Sequence, residues 1–214
     1  MRPSHAASAP STLTRPNSST RPSSFTLARL FASDRLEDVI AALEAEGFRT
    51  YWREFLRCEL RPSRWPGHIL ALVSLEPWQE PHLGEAAAIL QAAYAGGIEA
   101  EILALYRSMD GCRTVLDNIV NQGSCGVLVP EASAIAQNRG RSLGFVVVTE
   151  VAPRQGHLPQ VAVLPEYQRQ GIGRGLLDYS LRRLAEGEDP RNPRQGLRGL
   201  EAVWGELRNK LEAR

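Results

Sequence analysis

The residues best suited to chemistry lie in one stretch, Val161-Ala-Val-Leu-Pro-Glu-Tyr-Gln-Arg-Gln-Gly-Ile-Gly-Arg-Gly-Leu-Leu177. It reads as an apolar strand, a glycine-rich turn and an amphipathic helix in succession. The strand delivers the backbone to the turn, and glycines remove the Cβ atoms that would block a ligand. The first N–H groups of the helix have no intrahelical acceptor, and the positive end of the helix dipole lies behind them. This combination suits a phosphate or pyrophosphate.

Two familiar phosphate loops fail against these letters. A Walker loop needs Lys and then Ser or Thr after its last glycine, whereas Gly173 is followed by Arg174 and Gly175. A dinucleotide fingerprint counted from Gly171 needs a glycine where Leu176 stands. The pattern that fits is Val-x-Val-x-Pro-x-x-Gln/Arg-x-x-Gly-x-Gly/Ala, met by Val161, Val163, Pro165, Gln168, Gly171 and Gly173. In this the chain resembles the acetyl-coenzyme A loop of the GNAT superfamily of N-acetyltransferases. The resemblance implies that the backbone of Val161, Ala162 and Val163 pairs with the pantetheine arm. It places Gln168, Arg169, Gln170, Gly171, Ile172, Gly173 and Arg174 around the pyrophosphate, with Arg169 and Arg174 adding charge or simply forming a solvated start to the helix.

The same resemblance implies acetyl transfer from acetyl-coenzyme A, as co-substrate, to an amine. A primary amine with a pKa of about 10 must lose a proton before it attacks the thioester. His157 and Glu150 are the weak candidates for that base, and the catalytic residues are otherwise open. A backbone N–H around Ala162 to Leu164 is expected to stabilise charge on the carbonyl oxygen. The tyrosine that in this superfamily often closes the site, on the helix after the last core strand, is missing. Leu207 stands where an asparagine is often found, with Asn209 close by. A non-catalytic acyl-coenzyme A sensor or interaction module of the same fold is therefore the alternative.

The elements that must position these residues are legible in part. Residues 1–24 are rich in Ser, Thr and Pro, lack acidic residues and are expected to be a disordered tail rather than a transit peptide. Residues 25–67 are read as a helical extension: Asp34 caps a helix with the stripe Leu36, Val39, Ile40 and Leu43, and Trp52, Phe55 and Leu56 recur at helical spacing. Residues 68–214 are read as the acetyltransferase domain, with a strand over 69–75, helices over 86–94 and 98–109 and further helix over 114–120. Strands then follow at about 125–129, 143–151 and 157–164, with a polar hairpin loop near Asn138-Arg139-Gly140, a helix over 173–185 and a strand over 197–203. The expected fold is α/β (α+β), a mixed, mostly antiparallel sheet flanked by helices. The C-terminal half of the cofactor cleft is expected to be truncated, completed by a second subunit in a homodimer, or built differently.

Composition bounds the remaining possibilities. The chain has 214 residues, is 43% hydrophobic and carries a formal net charge of +1, so it can bury a full core and gives no reason to invoke nucleic acid. Cys58, Cys112 and Cys125 show no CxxC spacing, and no histidine stands at metal-ligand spacing, so reduced thiols, no metal and a cytoplasmic location are expected. No apolar run approaches membrane-spanning length. The acceptor pocket implied by the resemblance falls in roughly 78–123, where no residue announces a particular amine.

Overall fold

The computed structural model describes residues 9–14, 24–25, 36–60, 73–153, 155–186 and 199–204. They fall in two units, Met1–Leu56 with Val203–Arg214, and Arg57–Ala202. The first unit contains β1 (Ala9–Thr14), β2 (Ser24–Phe25), α1 (Leu36–Ala45) and most of β3 (Arg49–Glu59). β1 pairs antiparallel with both β2 and β3. Two expectations differ here. The segment expected to lack structure supplies β1, and the aromatic run around Trp52 is a strand rather than a helix. β-branched and aromatic residues such as Thr50, Tyr51 and Trp52 suit a pleated surface, and β1 supplies a pairing partner that helical spacing does not reveal.

The second unit runs β4 (Ser74–Pro77), α2 (His82–Tyr94), α3 (Ile98–Ile102), a 3-10 turn (Ala104–Arg107), α4 (Met109–Val120), β5 (Val127–Leu128), β6 (Ala134–Asn138), β7 (Arg141–Ala152), β8 (Gln155–Val163), a 3-10 turn (Pro165–Tyr167), α5 (Ile172–Glu186) and most of β9 (Gly199–Trp204). The expected helix over 98–109 is broken. Leu103 is extended, and the Ser108 Oγ accepts the Gly111 N–H at 3.1 Å, so Ser108 caps a new helix. The hairpin arms are β6 and β7, not 125–129 and 143–151. Arg139 and Gly140 both take positive φ, 49° and 76°, the two-residue arrangement whose twist matches the flanking strands.

Within this unit the sheet order is β9-β8-β7-β6-β4, with β5 on the end of β7 beyond β6. All pairs are antiparallel except β8 with β9. β7 is buried from Leu143 to Thr149, as a central strand covered on both faces should be. Helices α2 and α4 cover one face through Leu83, Ala86, Leu90, Cys112 and Leu116, packed on Ile135, Phe145, Val147 and Ala162. Burial of Leu90 and Leu116, both at 0% exposure, contributes about 1.5–3 kcal/mol each. The other face carries α5, where Ile172 and Leu176 are buried. The expected antiparallel sheet flanked by helices is therefore present. Residues 187–198 and 205–214 lie outside the described residues.

Candidate active site

β8 is the strand on which the site is built. Its ladder with β9 runs from Gln155↔Gly199 to Leu158↔Ala202, and no pairing with β9 is described beyond that point. On its other edge β8 stays paired with β7 up to Gly144↔Val163. The Leu164 N–H donates to the Leu143 oxygen at 2.8 Å. Antiparallel ladders alternate between pairs that exchange hydrogen bonds and pairs that do not, so Ala162 with Phe145 and Gln160 with Val147 belong to the bonded set. Val161 and Val163 then turn their N–H and C=O groups to the edge away from β7. The Gln168 Nε2 accordingly donates to the Val163 oxygen at 3.0 Å on that edge.

This alternation narrows one expectation. Of the N–H groups at Ala162, Val163 and Leu164, the outer two are committed to β7, leaving that of Val163 on the open edge.

The chain then passes directly into the loop. Pro165 opens a 3-10 turn, closed by the Tyr167 N–H donating to the Leu164 oxygen at 2.9 Å. Arg169 (φ 63°) and Gly171 (φ 83°) are both left-handed, a conformation that glycine adopts without the cost borne by other residues. The first bond within α5 runs from the Gly175 N–H to the Gly171 oxygen at 2.8 Å. The N–H groups of Ile172, Gly173 and Arg174 precede it and have no acceptor inside the helix. A Cβ on Gly173 would meet only Val163 Cγ2, at 3.7 Å. The arrangement fits an anion backed by a helix dipole, with the open strand edge leading into it.

Charge at this end is exposed. Arg174 Nε lies 3.7 Å from Asp178 Oδ2 with the arginine side chain 64% exposed, a loose i,i+4 pair. Arg169 is also exposed. Glu166 and Tyr167 have a packing role at the rim. Arg141 bonds Glu166 Oε1 at 2.8 Å and the Tyr167 hydroxyl at 3.1 Å, and stacks on the Tyr167 ring.

The two candidate bases are separated by the sheet. Between Gln160 and His157 the ladder slips: Val147 pairs with Gln160 but Thr149 pairs with His157, so Val148 opposes both Leu158 and Pro159. Directly opposed residues share a face. His157 thus lies on the face of Thr149, with Gln160 and Ala162, towards α2. Glu150 pairs with Gly156, one residue along, on the opposite face, and is exposed.

Sequence reasoning did not single out Gln160, which is 7% exposed. Its Oε1 accepts the Tyr94 hydroxyl at 3.2 Å, and its Nε2 donates to the Tyr106 hydroxyl at 2.7 Å. The two phenol rings meet edge to face with centroids 5.0 Å apart. No local signal could have found this trio, because its members are 66 and 54 residues apart. Cys112, by contrast, is fully buried, its thiol directed at the Leu105 and Tyr106 oxygens, and burial pushes it up from the ordinary thiol range. A groove of about 730 Å³ between α2 and α4, lined by Glu80, Asp110, Arg113 and Asp117 among others, includes none of the loop residues.

Residues 130–210 match the family described as Acetyltransferase (GNAT) domain. No curated protein matches the sequence. Among solved structures, the GCN5-related N-acetyltransferase from Sphaerobacter thermophilus has a TM-score of 0.50 at 15% identity, covering 78% of this chain and 47% of that one. That likeness is one of fold. The GCN5-related N-acetyltransferase from Kribbella flavida has a TM-score of 0.47 at 18% identity, covering 80% and 55%. The ribosomal-protein-S18-alanine N-acetyltransferase from Escherichia coli has 0.36 at 23%, covering 50% and 56%. The chain thus spans about half the length of each of these proteins. Among the described residues, no helix is long and apolar enough to cross a membrane.

Proposed function

From the match of residues 130–210 to the GNAT acetyltransferase domain family, we propose that this chain is an N-acetyltransferase transferring an acetyl group from acetyl-coenzyme A to an amine. The observation that supports this reading is the continuity of the open β8 edge at Val161 and Val163 with the outward N–H groups of Ile172, Gly173 and Arg174. In this reading the edge takes the amide groups of the pantetheine arm by strand-like pairing. The loop takes the pyrophosphate, and Arg169 and Arg174 add screened charge from the rim. When bound, acetyl-coenzyme A supplies an acyl group activated as a thioester. The Val163 N–H is the backbone donor placed to meet negative charge on the carbonyl oxygen. His157 is the better base candidate, because it lies on the α2 face with the polar trio, whereas Glu150 is solvated on the other face.

Titration calorimetry with coenzyme A, followed by transfer assays with acetyl-coenzyme A across peptide, polyamine and aminoglycoside acceptors, tests the reading. Saturable binding with transfer to one acceptor supports it. Binding without transfer or thioester hydrolysis supports the sensor instead, and absence of binding removes both. With an acceptor in hand, His157→Ala is expected to lower turnover by about 10²- to 10⁴-fold with coenzyme A affinity kept, and Glu150→Gln to leave it near normal. Normal turnover in His157→Ala removes the base assignment.

A further inference from the structure

We propose that Arg141, on the strand beside β8, is a positioning residue for coenzyme A: it holds the turn leading into the glycine-rich loop and acts on the ligand through that turn. The proposal rests on the acetyltransferase reading above. Three contacts converge on the guanidinium. Nη2 donates to Glu166 Oε1 at 2.8 Å, Nη1 donates to the Tyr167 hydroxyl at 3.1 Å, and the guanidinium carbon lies over the Tyr167 ring, 5.2 Å from its centroid. Glu166 is also held through its backbone, because its oxygen accepts from Gln170 Nε2 at 3.1 Å. Glu166 thus joins the β6–β7 hairpin to the residue just before Gly171.

The hairpin end of this strut is fixed. Arg141 follows the left-handed pair Arg139 and Gly140 and is paired with Asn138 across the turn. Beside it, the Ser142 hydroxyl donates to Glu85 Oε2 of α2 and accepts from Gln137 Nε2 at 3.4 Å. The loop end is where shape has to be imposed. Arg169 and Gly171 are left-handed at φ 63° and 83°, and a non-glycine residue stays in that conformation only where its surroundings determine it. Gln168 ties the loop to the Val163 oxygen, and Arg141 ties the turn before it to β7. A loop already in its binding shape loses less freedom when a ligand arrives, and affinity rises by that difference. The Arg141 and Glu166 side chains are 59% and 52% exposed, so water and salt screen the pair and the gain is modest.

The test separates positioning from plain attraction by the sign of one variant. Affinity for coenzyme A is measured by calorimetry, beside thermal denaturation of each protein. Arg141→Ala is expected to weaken binding about three- to tenfold, the range of an exposed ion pair supported by a cation–π contact. Glu166→Ala is the deciding variant. It removes a negative charge near the loop, so attraction alone predicts tighter binding of the anion, whereas positioning predicts a loss like that of Arg141→Ala. The double variant should bind as the single ones do, because either change already breaks the strut. Arg141→Lys keeps the charge but not the fork that reaches both Glu166 and Tyr167, so its affinity should fall between wild type and Arg141→Ala. In variants that melt as the wild type does, unchanged affinity in Arg141→Ala, or unchanged or raised affinity in Glu166→Ala, overturns the proposal. Losses that simply add in the double variant overturn it too. If the wild-type protein does not bind coenzyme A, the acetyltransferase reading fails first, and this proposal with it.

Discussion

Replacing Gly173 by valine separates ligand binding from folding. Its φ is not in the left-handed region, and a Cβ there would sit 3.7 Å from Val163 Cγ2, an ordinary contact. Valine is a better helix residue than glycine by a few tenths of a kcal/mol, so stability should hold within about 0.5 kcal/mol. The ligand side is different. Ile172, Gly173 and Arg174 offer N–H groups with no acceptor in α5, and hydrogen bonds to a charged group contribute about 1.5–3 kcal/mol each. If the side chain keeps the pyrophosphate from two of these donors, about 3–6 kcal/mol is lost, or roughly 10²- to 10⁴-fold in Kd. Calorimetry with coenzyme A, run beside thermal denaturation of the same preparation, reads both quantities. Unchanged affinity in a folded Gly173→Val protein would refute the assignment of the loop. Gly171 is unsuitable for this test. At φ 83° a side chain costs about 1–2 kcal/mol in the fold itself, more if β-branched, so lost binding there would report strain.

Gly111→Ala should be strongly destabilising, by about 3 kcal/mol, because a Cβ there would lie 2.1 Å from the Leu105 oxygen, a backbone atom that cannot swing aside; urea denaturation with an unchanged midpoint would contradict this. Cys112 should react with a disulfide reagent at pH 8 far more slowly than the half-buried Cys125 in native protein, and equally fast in urea. Since burial raises its folded pKa, the associated stability is fully present below the unfolded thiol pKa of about 8.5 and is lost as pH rises through the folded value. Deleting residues 1–24 removes β1 from the edge of β3 and should lower the melting temperature by a few degrees, whereas an unaltered curve would show that the pairing adds nothing.

The loop was legible because its determinants are contiguous: Pro165 starts the turn, Gln168 closes onto Val163, and glycine stands where φ is 83°. Helix α2 was legible for a similar reason, with Ala86, Ile89 and Leu90 at helical spacing and Gly96 turning left-handed after it. What escaped depended on partners distant in sequence. Trp52 satisfies helical spacing with Phe55, yet it pairs with Pro10 of β1, about forty residues upstream, in a strand. Ser108 has the letters of a helix cap, but the apolar run from Ile98 to Met109 masks it until Leu103 is seen to be extended. The sequence names His157 and Glu150 as candidates, but only the register shows that they occupy opposite faces.

That separation follows from Pro159. Proline has no N–H to give to a ladder, so central strands tolerate it chiefly at bulges. Here it stands where β8 slips by one residue against β7, and where the pairing with β9 also stops, at the preceding Leu158. Strict alternation would put His157 on the face of Val161 and Val163, towards α5. The extra residue in the bulge instead brings His157 and Gln160, three apart, onto the same face. One local interruption thus accounts for two features of this end of the sheet. It leaves a backbone edge leading to the glycine-rich loop, and it gathers the imidazole, the amide and the two phenols on the α2 face of the sheet.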